Sequence, residues 1–188
     1  SPFLSDTTHD GLDVCLLSAA LTNPKYKSLI NKYFNKISDK NDSLTLLNTS
    51  FSIEGAYIYL PKSVTAEKPI EIMHFSTGKQ GDFFLQPRNL IIVEENAEVQ
   101  ILERHQSLSN HRPFTNSVTE IYANDSSRID YYKIQNDREE AYLIDNTYIS
   151  QNTKSNVHVH TFSFGGEITR NNLNFYQNGE NCNSTLNG

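Results

Sequence analysis

The stretch that decides the fold is Leu90-Ile-Ile-Val-Glu-Glu-Asn-Ala-Glu-Val99. A short apolar run enters a polar elbow, and an alternating run leaves it. The same pattern returns as Thr119-Glu-Ile-Tyr-Ala-Asn-Asp-Ser-Ser-Arg-Ile129, Thr147-Tyr-Ile-Ser-Gln-Asn-Thr-Lys-Ser-Asn-Val157 and Leu173-Asn-Phe-Tyr-Gln-Asn-Gly-Glu-Asn-Cys182. The first residues after the elbows are Val99, Ile129, Val157 and Cys182, spaced by 30, 28 and 25 residues. A near-constant period in this range marks stacked units, none of which can bury its apolar face alone. Cys182 falls where the other copies carry Val or Ile, and so reads as a core hydrophobe. The pattern predicts a β-solenoid over 44–188.

Working outward, further runs continue the strand series. They are Ala56 to Leu60, Ile70 to Phe75, Val118 to Tyr122, Ile129 to Ile134, Ala141 to Ile149, Val157 to Phe164 and Ile168 to Tyr176. Ile70 and Ile72 alternate with Glu71 and Met73, so one side of that strand faces a core. Leu44 to Ser50 also reads as a strand, turning at Glu54-Gly55. Arg104 to Pro113 reads as a polar loop. Gly165-Gly166 and Asn178-Gly179 read as turns that admit positive φ.

Residues 1–43 read as a helical N-terminal segment. Asp13 is placed as the cap of a first helix carrying Val14, Leu16, Leu17 and Leu21. Asn23-Pro24 starts a second, with Asn as cap and Pro at the first position. Leu29, Ile30, Tyr33, Phe34 and Ile37 then recur at helical spacing, with Lys25, Lys27, Lys32 and Lys36 opposite. The bland reading is a helix lying on its own domain; the other is a face for a partner.

Composition excludes several classes. The chain has 188 residues and a formal charge of −6, which argues against a nucleic-acid binder. No stretch approaches the roughly 20 apolar residues of a membrane span, and Ser1 to Asp10 lacks a signal peptide's basic start. Two distant cysteines, Cys15 and Cys182, make no disulfide framework, and reduced thiols in the cytoplasm are expected. Cys15, beside Val14, Leu16 and Leu17, reads as packing.

Chemistry-bearing residues are sparse. His158 and His160 lie two apart on a predicted strand and share a face, which makes them the candidate metal ligands. Their His-x-His spacing resembles that of cupins, without that motif's Pro-Gly or its acidic residue. Two ligands without a third are better read as solvent-facing or cross-strand packing histidines, so no metal site is expected. Arg104-His105 and His111-Arg112 form a candidate anion-binding loop, or a solvated one. Asp125, Asp130, Asp137 and Asp145 are spread over successive coils and form no stack of acids. Thr77-Gly-Lys-Gln-Gly81 reads as a turn and lacks the ending of a phosphate-binding P-loop.

Particular residues carry a family resemblance: Ala56-Tyr-Ile-Tyr-Leu-Pro-Lys62, Glu67-Lys-Pro-Ile-Glu-Ile72, and above all Pro87-Arg-Asn-Leu-Ile-Ile-Val-Glu-Glu-Asn-Ala-Glu-Val-Gln-Ile-Leu-Glu-Arg-His105. Thr119-Glu-Ile121, Asn172-Leu-Asn174, Gly179 and Leu186-Asn-Gly188 are similar too. They resemble the SufB/SufD family of the SUF iron–sulfur cluster assembly system, with a balance nearer SufD, over roughly 44–188. The resemblance implies a right-handed parallel β-helix between helical terminal segments. It implies a non-catalytic scaffold paired with a SufB-like paralogue and a SufC-like ABC ATPase, and a link to iron acquisition. The iron–sulfur cluster then belongs to the whole complex, and no cofactor is expected in this stretch. The family's Cys-Ser-His-Gly-like segment, with its functional histidine, has no counterpart here, so no catalytic residue carries over. Nor has the ATPase-binding region. The expectation is a segment of a longer SufD-like protein, cut inside its β-helix, whose open end at Gly188 pairs with another chain or a second copy. The alternative is a β-helix or cupin-like metal-dependent or carbohydrate-active enzyme.

Overall fold

The computed structural model describes residues 11–52, 54–77, 81–108 and 112–188. It is mostly strand, in parallel sheets that wind about four solenoid turns. The N-terminal segment holds β1 (Asp13–Leu16), α1 (Leu17–Thr22), a 3-10 turn (Pro24–Tyr26), α2 (Lys27–Tyr33) and α3 (Ser43–Phe51). The solenoid follows with β2 (Ala56–Leu60), β3 (Ile70–Ser76), β4 (Phe83–Leu85), β5 (Arg88–Val93), β6 (Glu98–Ser107) and β7 (Pro113–Ala123). β8 (Arg128–Asn136), β9 (Tyr142–Gln151), β10 (Asn156–Phe164), β11 (Ile168–Gln177) and β12 (Asn183–Asn187) complete it.

Alternate strands go to alternate sheets. Sheet A runs β1-β2-β5-β7-β9-β11, with β4 on β7; sheet B runs β12-β10-β8-β6-β3. Every pairing is parallel except β1 on β2. Like residues therefore stack coil on coil: Val99 on Ile129 on Val157, and Ile91 on Ile121 on Ile149. These ladders fill the lumen between the sheets, joined by Ile58, Val93, Ile101, Tyr131 and Val159. Parallel coils exclude the cupin alternative, because a jelly roll is built of antiparallel strands.

The elbows carry the register. Ser63, Asn96, Ser126, Lys154 and Asn181 all hold positive φ, between 56° and 61°. Each of the first four donates its N–H to the next coil's elbow carbonyl, on Glu95, Asp125, Thr153 and Glu180, at 2.8–3.0 Å. The left-handed cost of each non-glycine residue is set against a bond between coils. Asn124 and Asn152 add a side-chain ladder, donating to Glu94 Oε2 and Asn124 Oδ1 at 3.1 Å.

Four expectations are corrected by this register. Val157 pairs with Ser184, not Cys182. Cys182 precedes Asn183, the partner of Asn156, and so takes the elbow position of Ser155. Its thiol lies 3.3 Å from the Gly179 carbonyl, as the Ser155 hydroxyl lies 2.7 Å from that of Asn152. Gly179 itself is chosen for closeness rather than for positive φ, since a Cβ there would stand 2.2 Å from Thr153 N. Residues 13–16 are a strand, because pairing with β2 outweighs their helical spacing; the helix starts at Leu17, whose N–H meets the Gly55 carbonyl at 2.8 Å. Residues 44–50 are helical, capped by Asp42, which accepts from Thr45 N at 2.7 Å.

A second core lies between the N-terminal segment and the outer face of sheet A. Tyr57, Leu90, Ile92 and Tyr122 meet Leu17, Ala20, Tyr26 and Tyr33 there, with Leu29, Ile30, Phe34 and Ile37 packed on. The lysine-studded helix thus lies on its own domain. Asn23 accepts from Lys25 N at 3.0 Å, as a cap before Pro24 should. Burial first, then the charges of Asp13 and Glu120 respectively, pushes the Tyr57 and Tyr122 phenols far above their ordinary value. A raised folded pKa contributes stability that is complete below the free phenol value, roughly pH 10, and is lost as pH climbs through the folded one. Alkaline titration of tyrosinate absorbance should leave these two phenols un-ionised until the fold gives way. Free ionisation of all 10 tyrosines with circular dichroism unchanged would contradict that burial.

Candidate functional site

At one side of the lumen the ladders turn polar. β3, β6 and β8 keep the luminal phase of Ile72, Ile101 and Tyr131 but continue it with His74, Glu103, His105, Lys133 and Gln135. Sheet A answers with Asn89, Thr119, Thr147 and Asp145, all buried. Register sets His74 beside His105 and Glu103 beside Lys133, one coil apart.

Glu103 is the hub. Its Oε1 accepts from Asn89 Nδ2 at 2.8 Å and lies 2.9 Å from His74 Nε2. Its Oε2 accepts from the Tyr131 hydroxyl. His105 Nε2 stands 3.5 Å from Oε1, buried and without a hydrogen-bond partner among the described residues. The His74 and His105 rings stack with centroids 4.5 Å apart and planes 20° from parallel, so both Nε2 atoms converge on one oxygen. Lys133 Nζ donates to Thr147 Oγ1 at 2.7 Å and pairs with Asp145.

The field follows from this geometry. Burial would raise the Glu103 pKa, but the two imidazoles and the Lys133 charge outweigh it and hold the carboxyl well below its usual range. Burial, then the neighbouring His105, pulls His74 below an ordinary imidazole despite Glu103. Burial pulls on His105 too, yet Glu103 wins and its pKa ends raised. Burial, then the Glu103 and Asp145 charges, drives the Tyr131 phenol well up. Among the described residues, His74, Glu103 and His105 are the group of three whose ligand atoms all lie within 4.8 Å of one another.

The residues singled out by sequence go elsewhere. His158 and His160 do share the outer face of sheet B, while Val157 and Val159 are buried in the lumen. His158 Nδ1 lies 3.0 Å from Asp130 Oδ1, which also holds Arg128 at 3.6 Å from Oδ2. His160 stacks on Tyr132 at 4.9 Å and meets Asn187 Nδ2 at 3.2 Å. The two imidazoles thus serve different partners. The cationic loop is corrected: Arg104 and His105 belong to β6, which runs on to Ser107 in register with β3 and β8, and His105 points into the lumen. His111, and Gly78 to Gln80 of the expected turn, lie outside the described residues.

The luminal group was missed because a polar residue after an apolar alternation reads as the end of a strand. One signal was present: His74 and His105 are 31 residues apart, close to one coil, and Glu103-Arg-His105 keeps the period-two phase of Val99 and Ile101.

Exposed apolar side chains occur on both sheets, on sheet A at Phe84, Ile168 and Tyr176 and on the outer face of sheet B. The latter exposes Met73 (42%) and Phe75 (48%) on β3 and Phe162 (46%) and Phe164 (55%) on β10. Across the ladder, Met73, Arg104, Ile134 and Phe162 stand in one row. Among the described residues no helix is long and apolar enough to cross a membrane.

Comparison with known proteins agrees with this architecture. The N-terminal part, residues 5–72, matches the SufBD protein N-terminal region. An iron–sulfur cluster assembly SufBD family protein of Synechocystis is 28% identical over 79% of this chain and 34% of its own length. The iron–sulfur cluster assembly protein SufD of Bacillus subtilis is 28% identical over 60% of this chain and 26% of its own. SufD of Escherichia coli is 23% identical over 95% of this chain and 43% of its own. The chain thus spans a quarter to under a half of these relatives' length. Residues 74–188, which hold the polar layer and most of the lumen, match the SufBD core domain of SUF system FeS cluster assembly, and the chain belongs to that family.

Proposed function

We propose that this chain is part of a SufD-like, non-catalytic scaffold subunit of iron–sulfur cluster assembly. It works with a SufB-like paralogue and a SufC-like ABC ATPase in the cytoplasm, where Cys15 and Cys182 stay thiols. The observation that carries the reading is the outer face of sheet B. The protein's own helical segment packs on β2, β5 and β7 of sheet A and leaves Phe84 and Ile168 of that sheet exposed, whereas sheet B presents Met73, Phe75, Phe162 and Phe164 to solvent from two of its strands. Exposed apolar rows of this kind suit a protein surface, not a small polar substrate. In this reading none of residues 1–188 makes the ATPase contact.

The test is co-purification of the intact protein with the two candidate partners. The wild type should hold both. Phe162→Asp with Phe164→Asp should weaken retention of the paralogue at least about tenfold, since buried apolar anchors dominate such interfaces, and leave circular dichroism unchanged. Failure of the wild type to retain either partner would remove the reading.

A further inference from the structure

The polar layer carries one more negative charge than its fixed cations balance. Glu103 and Asp145 are both buried, and Lys133 answers Asp145. Glu103 is left with neutral donors, Asn89 and Tyr131, and with two imidazoles. A buried carboxylate must be matched by a cation. The atom aimed at it from inside the lumen, His105 Nε2, is buried and has no hydrogen-bond partner among the described residues. From these observations we propose that His74, Glu103 and His105 bind one divalent first-row transition ion inside the β-helix.

The distances fit such an ion. Bonds of roughly 2.0–2.1 Å in tetrahedral geometry put neighbouring ligand atoms about 3.3 Å apart. The two nitrogens stand 2.9 and 3.5 Å from Glu103 Oε1. Two imidazole nitrogens and one carboxylate oxygen suit Zn(II), Fe(II) or Co(II), rather than Ca(II) or Mg(II), which take oxygen ligands. Asn89 and Tyr131 hold the carboxylate from behind, as outer partners of a metal ligand do. His74 comes from β3, and Glu103 and His105 come from β6, so the ion ties one coil to the next. The His74 side chain is 18% exposed, which opens the site on that coil. Three protein ligands leave the fourth tetrahedral position to water, and the burial of Glu103 and His105 keeps larger molecules from it.

The inference goes beyond the assembly role and does not depend on it, because its readout is metal on the purified protein alone. The intact protein, stripped with a chelator, is titrated with Zn(II), and separately with Co(II) and with Fe(II) under anaerobic conditions. One equivalent of ion should survive gel filtration, Co(II) should show the visible bands of low-symmetry nitrogen and oxygen ligation, and Tm should rise by about 5 °C at saturating ion. His74→Ala removes the most exposed ligand and should keep the fold by circular dichroism while weakening Zn(II) at least about tenfold. His105→Gln should do the same, and His158→Ala with His160→Ala should leave binding unchanged. Three results would each overturn the proposal: no ion retained by the wild type, Zn(II) bound equally by folded His74→Ala and His105→Gln, or binding lost in the His158 and His160 variant. The first would leave a proton on His105 as the balancing charge.

Discussion

Replacing Glu120 with alanine is expected to cost about 3–5 kcal/mol, the range for breaking a buried ion pair by removing one member. Glu120 and Arg88 are fully buried beneath the N-terminal segment, Arg88 Nη2 donating to Glu120 Oε2 at 2.7 Å. The carboxylate does a second job. It accepts the backbone N–H groups of Asn35, Lys36, Ile37 and Ser38 at 2.8–3.2 Å, gathering the loop after α2 around one anion. Asn35 adopts φ 58° there, and α2 stops at Tyr33. Arg88 reaches Thr49 Oγ1 at 3.2 Å and Ser38 Oγ at 3.3 Å, and lies over the Phe34 ring. Removing Glu120 leaves a buried guanidinium and four unpaired N–H groups. For a chain of this size the loss corresponds to a fall of about 10 °C in Tm. The helical segment should detach before the lumen opens, so limited proteolysis should cut near 35–42 while the solenoid survives. Arg88→Met with Glu120→Gln should cost less than the two single changes summed, because no lone charge remains. A fall below about 1 kcal/mol for Glu120→Ala would show that the pair does not hold the segment.

Sequence periodicity reached the coils and their lumen but not the polar positions inside them. The elbows were legible because each coil repeats one alternation, and stacking like on like forces the repeat. Cys182 slipped by two residues because the fourth elbow, 178–182, is longer than Glu94–Ala97 and its strand opens on Asn183-Ser184 instead of an aliphatic. Helix α3 was hidden because the face it buries is Thr45 and Asn48. Asn48 donates to the Pro87 and Asn116 carbonyls at 2.9 and 2.8 Å, and Thr45 meets the Tyr148 hydroxyl at 2.9 Å. An apolar stripe, the signal that betrays a helix in sequence, is absent where packing is through hydrogen bonds. The same holds for Arg88, Asn89, Glu103 and His105. All four sit in the block 87–105 that carries the family resemblance most specifically, and all four are buried. Their identities are fixed by partners one coil or one layer away, 14 to 40 residues distant for the Glu103–Asn89 and Arg88–Asn48 contacts, which no local window sees.

Gly55→Ala should be nearly as damaging as loss of the ion pair, for a reason that involves no side-chain chemistry. Gly55 lies between α3 and β2, where the chain leaves the helical segment to begin the first coil. A Cβ there would stand 1.6 Å from the Arg88 carbonyl oxygen and 2.4 Å from its carbon. Both are backbone atoms of β5, and no rotamer change relieves such a clash. The strand cannot retreat freely, since Arg88 N–H is held by the Glu54 carbonyl at 2.9 Å and Asn89 Oδ1 accepts from Ala56 N at 2.9 Å. The Gly55 carbonyl in turn receives Leu17 N–H at 2.8 Å, where α1 begins. One added methyl therefore pushes apart three elements that meet at one point, and it shifts Arg88 relative to Glu120. Overpacking costs about 1–3 kcal/mol where side chains give way; here the backbone must move, so about 3 kcal/mol or more is expected. Urea unfolding of the intact protein would read it as a lower midpoint. Gly81→Ala is the control, because a Cβ at Gly81 has no described residue within 4 Å, although its φ of 69° adds a strain of about 1 kcal/mol. If Gly55→Ala costs no more than Gly81→Ala, close approach at Gly55 does not position β5, and the clamp at Arg88 and Glu120 must hold the segment unaided.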